Sequence, residues 1–176
     1  MILIINTSGN GIELAIEDKV SKHEVEKQSI ALPNTVTEFL KQNHINTTDL
    51  SQIGVIVGPG SFTGIRMGIA YAKGLGIGLN IPVIPVNIFE IYLHKNPDAF
   101  VALDSGRGDF FVAAHDLKPC VMDIDTVETE QMKYPRTVGH IPFDLRDAIT
   151  IVKEKVKAND LQPAVPMYLR PSYAEK

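Results

Sequence analysis

Apolar and polar positions along this chain follow two periods, and each change of period marks an element. Residues 2–5 are an unbroken apolar run, and Ser8-Gly9-Asn10-Gly11 supplies the turn chemistry of a hairpin into a second strand over 12–17. A third strand is predicted over 21–26. Apolar spacing then becomes three and four: Leu32, Val36, Phe39 and Leu40 lie on one stripe. This predicts a helix that starts at Pro33, a favourable first helical position, and ends near Asn43. Residues 53–57 read as a buried strand, 62–79 as a helix, 82–86 as a buried strand and 88–93 as a short helix stopped before Pro97. The apolar runs 100–103 and 110–114 flank the turn Ser105-Gly106-Arg107-Gly108 and pair as a hairpin. Residues 121–128 alternate as a strand, and the rest of 116–143 reads as loop. Asp144 caps a last amphipathic helix with Leu145, Ala148, Ile149, Val152 and Val156 inward. Hairpin, crossover helix, parallel strand, helix, strand: this order implies an α/β domain with a mixed sheet flanked by helices. No low-complexity linker and no internal repeat stands out.

Composition fits a globular protein with a real core, at 176 residues, 44% hydrophobic and 22% charged. A net charge of −4 argues against direct, sequence-independent gripping of nucleic acid, which needs a basic face. The single cysteine, Cys120, excludes an internal disulfide and fits a reducing compartment. The opening apolar run lacks a basic flank and meets a polar turn at Asn6, so it reads as a strand rather than a signal peptide. The helix over 62–79 is interrupted by Arg66 and Lys73 and is too rich in glycine for a membrane span. A cytoplasmic protein is expected.

The segment Gly-Pro-Gly-Ser-Phe-Thr-Gly-Ile-Arg-Met-Gly-Ile-Ala-Tyr-Ala-Lys-Gly-Leu, residues 58–75, holds the most information. Five glycines inside the predicted helix give up roughly 3 to 5 kcal/mol of helix propensity, which calls for a compensating contact. Gly60, Gly64 and Gly68 are four apart on one face and would admit a close neighbour. The turn Gly58-Pro59-Gly60-Ser61 has two readings. Backbone N–H groups at a helix start can cradle an anion. Alternatively, Gly58 and Gly60 only allow a sharp turn, with Ser61 as N-cap. Ile65, Arg66 and Met67 follow Gly64 where a P-loop needs lysine and a hydroxyl, so this is not a Walker loop and the second reading is favoured.

The 58–75 segment resembles the signature of the bacterial TsaB (YeaZ) family, partners of the TsaD enzyme that makes threonylcarbamoyl-adenosine in tRNA. The resemblance runs on through Met-Ile-Leu-Ile-Ile-Asn-Thr-Ser at the start, Ala-Leu-Pro at 31–33, Ala-Leu-Asp-Ser-Gly-Arg-Gly-Asp-Phe-Phe-Val-Ala at 102–113 and Met-Tyr-Leu-Arg-Pro at 167–171. It implies the ribonuclease H-like fold of the actin, hexokinase and heat-shock chaperone ATPases. In that fold two related lobes enclose a nucleotide, each offering a turn between its first two strands. Here those turns would be Asn6-Thr7-Ser8-Gly9 and Asp104-Ser105-Gly106-Arg107-Gly108, with residues 1–99 as the first lobe and 100–176 as a shortened second one. Thr7, Ser8, Gly58, Gly60 and Ser61 would be vestigial nucleotide contacts. The acid that holds magnesium at the first turn of such folds is Asn6 here, and an amide offers a hard cation no charge. Asn6 and Ser8 read more simply as closing a hairpin turn. The metal-binding histidines of TsaD-type enzymes have no counterpart over 28–40, and the family's His-Ser-Glu reads Gln28-Ser29-Ile30.

The remaining candidates for chemistry are weak. Asp104 and Asp109 flank a turn, but no third group completes a site, so Asp104 is expected to end a strand beside a solvated Arg107 and Asp109 to begin the next. Ser61 lacks the Gly-x-Ser-x-Gly context of a nucleophile elbow, so no protease is expected. No metal site and no tightly bound cofactor is expected. The resemblance therefore implies a non-catalytic scaffold that dimerises with itself or with TsaD, works with the ATPase TsaE, reaches tRNA only through the complex and leaves ATP and magnesium to its partners. Val36, Phe39, Leu40, Gly64, Ile65, Gly68, Ile69 and Ala72 would form the partner face. The alternative is a small ATPase or phosphotransferase of the actin and hexokinase superfamily with its own nucleotide cleft.

Overall fold

In the computed structural model residues 1–170 are described. They divide into two compact units, Met1–Asn87 with Asp144–Pro166, and Ile88–Phe143 with residues 167–170.

In the first unit the apolar run at the start becomes the central strand β1 (Ile2–Asn6), buried throughout. It pairs antiparallel with β2 (Gly11–Ile16), which pairs antiparallel with β3 (Lys19–Glu24). On its other side β1 is parallel to β4 (Gln52–Ile56), and β4 to β5 (Val83–Val86), giving the order β3-β2-β1-β4-β5. Helix α1 (Gln28–Gln42) crosses from β3 to β4, and α2 (Phe62–Leu79) joins β4 to β5. Successive residues of β4 face opposite ways. Ile53 approaches Gly76 of α2, whereas a Cβ at Gly54 would meet Val152 of the last helix. The sheet is thus sandwiched between α2 and that helix, as the mixed-sheet reading requires.

The second unit repeats this plan in reduced form. Helix α3 (Ile88–Lys95) precedes β6 (Phe100–Asp104), β7 (Asp109–Ala114) and β8 (Leu117–Asp123), then helix α4 (Ile124–Glu130) and the short β9 (Thr137–Val138). The order is β8-β7-β6-β9, with β9 parallel to β6 and the other pairs antiparallel. This is the 3-2-1-4 part of the first sheet, with α4 in the crossover that α1 occupies there. The repeat is one of topology, invisible as sequence similarity. Phe100, Val112, Ala114 and Val127 form the core on one face, and Phe89, Val101 and Ala113 with Met167 and Leu169 on the other. The last helix, α5 (Asp147–Lys157), belongs to the first unit.

Several expected boundaries move. Helix α1 begins five residues before Pro33, which lies inside it. The hydrogen bond that Pro33 cannot donate would have gone to Ser29 four residues earlier, in the first turn and exposed, where water can replace it. The strand expected over 121–128 stops at Asp123, whose side chain accepts from the Thr126 N–H at 2.8 Å and starts α4. The expected 1–99 and 100–176 division shifts, because Phe89 of α3 enters the second core while Val152 of α5 packs on β4. Residues 171–176 lie outside the described part.

Candidate functional site

Because β1 and β4 are parallel neighbours, the turns that follow them emerge at the same edge of the first sheet, the carboxyl end where open α/β sheets bind ligands. The two turns meet there. Thr7 is fully buried and its hydroxyl donates to the Gly64 carbonyl at 2.7 Å. Asn6 Oδ1 accepts from the Ser8 N–H at 3.0 Å and from the Ser8 hydroxyl at 2.7 Å, while Asn6 Nδ2 donates to Glu13 Oε2 at 2.8 Å. The Ser61 N–H donates to the Ser8 carbonyl at 2.7 Å, and Ser61 Oγ caps α2 by accepting from the Gly64 N–H at 3.2 Å. Gln28 closes the junction from α1. Its Nε2 donates to the carbonyls of Gly11 at 2.7 Å and Gly9 at 2.9 Å, with a longer contact to Thr7 at 3.4 Å.

The glycines make this closeness possible. Gly60 has φ +155°, and a Cβ there would collide with the Ser8 carbonyl oxygen. A Cβ on Gly64 would collide with the Thr7 carbonyl oxygen, and one on Gly68 with the Thr7 hydroxyl. The structure therefore brings Thr7, Ser8, Gly60 and Ser61 together beside Gly58, but the Thr7 hydroxyl, the Ser8 N–H and hydroxyl and the Ser61 N–H are turned on neighbouring protein atoms. A phosphate cradle needs amides open to the ligand. Here the N–H groups of Ser8, Ser61 and Gly64 already have protein acceptors, and the residue at the acid position is a neutral amide committed to Ser8 and Glu13. An amide at the acid position does not fit a magnesium ion, and Ser61 serves as the cap of α2.

The expected partner face requires correction. Val36, Phe39 and Leu40 of α1 and Gly64, Ile65, Gly68, Ile69 and Ala72 of α2 are all buried within the chain, so none can form a contact surface. Gly64 and Gly68 face Thr7, and the aliphatic residues fill the core of the first unit. The signal that separates the two sides was the charge. Arg66 and Lys73 are seven apart and mark the solvent side, and Gly64 and Gly68 each lie roughly 160° around the helix from Arg66. The outward stripe of α2 consists of Thr63, Arg66, Ala70, Lys73, Gly74, Ile77 and Gly78. Ile77 is 83% exposed, and a Cβ at Gly74 or Gly78 would meet nothing within 4 Å. Gln28 is the site residue that the sequence did not reveal, since it acts on carbonyls 17 to 21 residues away.

In the second unit Asp104 ends β6 as expected, and its carboxylate accepts from the Gly106 N–H at 2.7 Å. Asp109 begins β7 as expected, and it also takes hydrogen bonds from Ser105 Oγ and from Arg170, whose guanidinium lies 5.3 Å over the Phe111 ring. The 167–170 segment thus has a structural task, with Met167 and Leu169 in the core and Arg170 on the turn; Pro171 lies outside the described residues. The Tyr134 hydroxyl donates to Asp116 at 2.7 Å, which pushes the phenol up to about 12. Burial raises the Cys120 thiol, which makes it a poor nucleophile. Among the described residues no three histidine, cysteine or acidic side chains are placed to share a metal ion.

The family model described as TsaD: tRNA N6-adenosine threonylcarbamoyltransferase matches residues 22–165. The tRNA threonylcarbamoyladenosine biosynthesis protein TsaB of Bacillus subtilis is 34% identical over 128 residues, 66% of this chain and 56% of that protein. Its namesake from Buchnera aphidicola subsp. Baizongia pistaciae is 33% identical over 86 residues, 46% of this chain and 39% of that protein. The matches thus span about two fifths to just over half the length of these curated relatives. The solved structure of YeaZ from Pseudomonas aeruginosa superposes with a TM-score of 0.72 at 19% identity, covering 96% of this chain and 99% of that one, a likeness of fold. On the family model's coverage and the TsaB-named relatives, this chain belongs to the TsaD family, and within it to the TsaB (YeaZ) group.

Proposed function

We propose that this chain is a non-catalytic subunit of the assembly that makes threonylcarbamoyl-adenosine in tRNA, and that it associates with a TsaD-type partner, or with a second copy of itself when alone, through the outward stripe of α2. The observation that carries this reading is the contrast between the two sides of that helix. Its inward side closes the turn junction, where the Thr7 hydroxyl and the Gly64 N–H are already bonded within the chain. Its outward side presents Ile77 at 83% exposure beside Gly74 and Gly78, a surface that lets another helix approach closely. ATP, magnesium and tRNA are then handled by the partners, TsaE among them, in the cytoplasm. Support comes from the TsaB names of the relatives and from the acidic net charge of −4, which suits a subunit that leaves tRNA gripping to others. No helix among the described residues is long and apolar enough to cross a membrane.

The test is to express Gly74→Leu and Ile77→Glu alongside the TsaD of the same genome. Both positions are open and Gly74→Leu gains helix propensity, so neither variant should melt below the parent, yet association should weaken by about 1 to 3 kcal/mol in pull-down and light scattering. Undiminished pairing in both variants would overturn the assignment of this face. Turnover of magnesium ATP by the isolated protein would overturn the non-catalytic reading.

A further inference from the structure

Asn6, Glu13 and Lys22 stand in one row across three strands. Asn6 is registered against Glu13 between β1 and β2, and Glu13 against Lys22 between β2 and β3. Residues paired this way share a face of the sheet, and their side chains interact. Glu13 receives Asn6 Nδ2 on one oxygen at 2.8 Å and Lys22 Nζ on the other at 3.0 Å. The row therefore reads amide, carboxylate, ammonium, and both carboxylate oxygens have a partner. The hydrogen bond to Glu13 also raises the Lys22 pKa, so its charge persists at neutral pH.

We propose that the Lys22 ammonium is the built-in cation of the first turn: it balances Glu13 beside the neutral Asn6, so the turn keeps its shape with no divalent metal ion. A hard divalent cation selects carboxylate oxygens, and an ammonium already on the only carboxylate of the row opposes its entry. Reversing both features should create a metal site. Asn6→Asp places a second carboxylate where an amide now lies 2.8 Å from Glu13, and two like charges at that distance repel unless a cation lies between them. Lys22→Met removes the resident cation.

The inference deepens the non-catalytic reading of the same turn but depends on melting of the isolated protein alone, whereas that reading depends on association and turnover, so the two can fail separately. The experiment compares the parent, Lys22→Met, Asn6→Asp and the double variant in chelator and in Mg²⁺ or Mn²⁺, by thermal melting and by calorimetry with the metal alone. The parent should melt identically in both media. Asn6→Asp should melt lower than the parent in chelator and respond only weakly to metal. The double variant should rise by about 3 to 6 °C at a metal concentration tenfold above its dissociation constant. If it is unfolded in chelator, the metal should restore its far-ultraviolet signal. A metal response in the parent, an Asn6→Asp response as large as that of the double variant, or a double variant that ignores metal would each overturn the proposal.

Discussion

The two units build the same corner with the same local device and then support it in different ways. In each, the residue that ends the first strand accepts a hydrogen bond from the backbone two positions on: Asn6 from Ser8 at 3.0 Å, and Asp104 from Gly106 at 2.7 Å. Around the first turn, Asn6, Thr7 and Ser8 are all buried, under Gln28 of α1 and Gly64 of α2. Around the second, Asp104 and residues 106–108 are exposed, and the tie is Arg170 on Asp109 and Ser105. One turn is held by backbone packing that water cannot replace, the other by charged side chains that water can compete for. The second unit is also the smaller one. Among its described residues no helix takes the place of α2, and the 167–170 segment reaches the corner instead.

The comparison breaks most directly at Gly64. Helix propensity alone favours alanine there by about 1 kcal/mol. The Cβ, however, would strike the Thr7 carbonyl, and that atom cannot retreat without loosening the bond from the Thr7 hydroxyl to the Gly64 carbonyl. Overpacking against backbone should win, so Gly64→Ala should lose about 2 to 3 kcal/mol net, or roughly 4 to 12 °C of melting temperature. A variant that melts at or above the parent would mean that the first turn is as yielding as the second.

Gln28→Ala tests the same corner from α1 with a smaller effect. It leaves the Gly9 and Gly11 carbonyls without their side-chain donor, and a loss of about 1 to 2 kcal/mol is expected in denaturant unfolding. Alanine suits a helix start, so α1 itself should persist, and faster amide exchange should be confined to the 6–11 turn. Uniformly faster exchange across the sheet would show instead that Gln28 holds more than the turn.

Where the physics is local, the sequence was readable. The apolar run of β1, the Ser-Gly-Asn-Gly hairpin and the Ser61 cap set elements that form as expected, and α2 spans Phe62–Leu79 as its spacing predicts. The errors arise where tertiary context decides. Pro33 suits a first helical turn, yet the helix extends back to Gln28 because the resulting gap faces water. The 121–128 alternation is the exception, because the Asp123 side chain that ends the strand caps a helix through the Thr126 N–H three residues on, a local signal that the alternation masked. Four-residue glycine spacing says that something comes close, but not whether it is a partner or the chain's own Thr7, and only the charges at 66 and 73 point outward. Gln28 and Arg170 lie in motifs of the family, but what they bind was not legible, because their acceptors are supplied by segments distant in sequence.

The smallest effect belongs to Arg170→Ala, and it is the measurement that sharpens the contrast. Arg170 and Asp109 side chains are 26% and 29% exposed, so solvent screens their pair in part, and its removal should lower stability by about 1 kcal/mol, or roughly 2 to 4 °C. Part of that loss will come from the guanidinium leaving the Phe111 ring, a contact that salt weakens little. The ionic part is what salt reveals. Raising ionic strength should destabilise the parent slightly relative to Arg170→Ala, narrowing the gap between them, whereas the gap between the parent and Gly64→Ala should not change because a steric clash has no counter-ion. A salt-independent gap for Arg170→Ala would mean that the second corner, like the first, is held by packing, and that the two units differ in size but not in how their turns are secured.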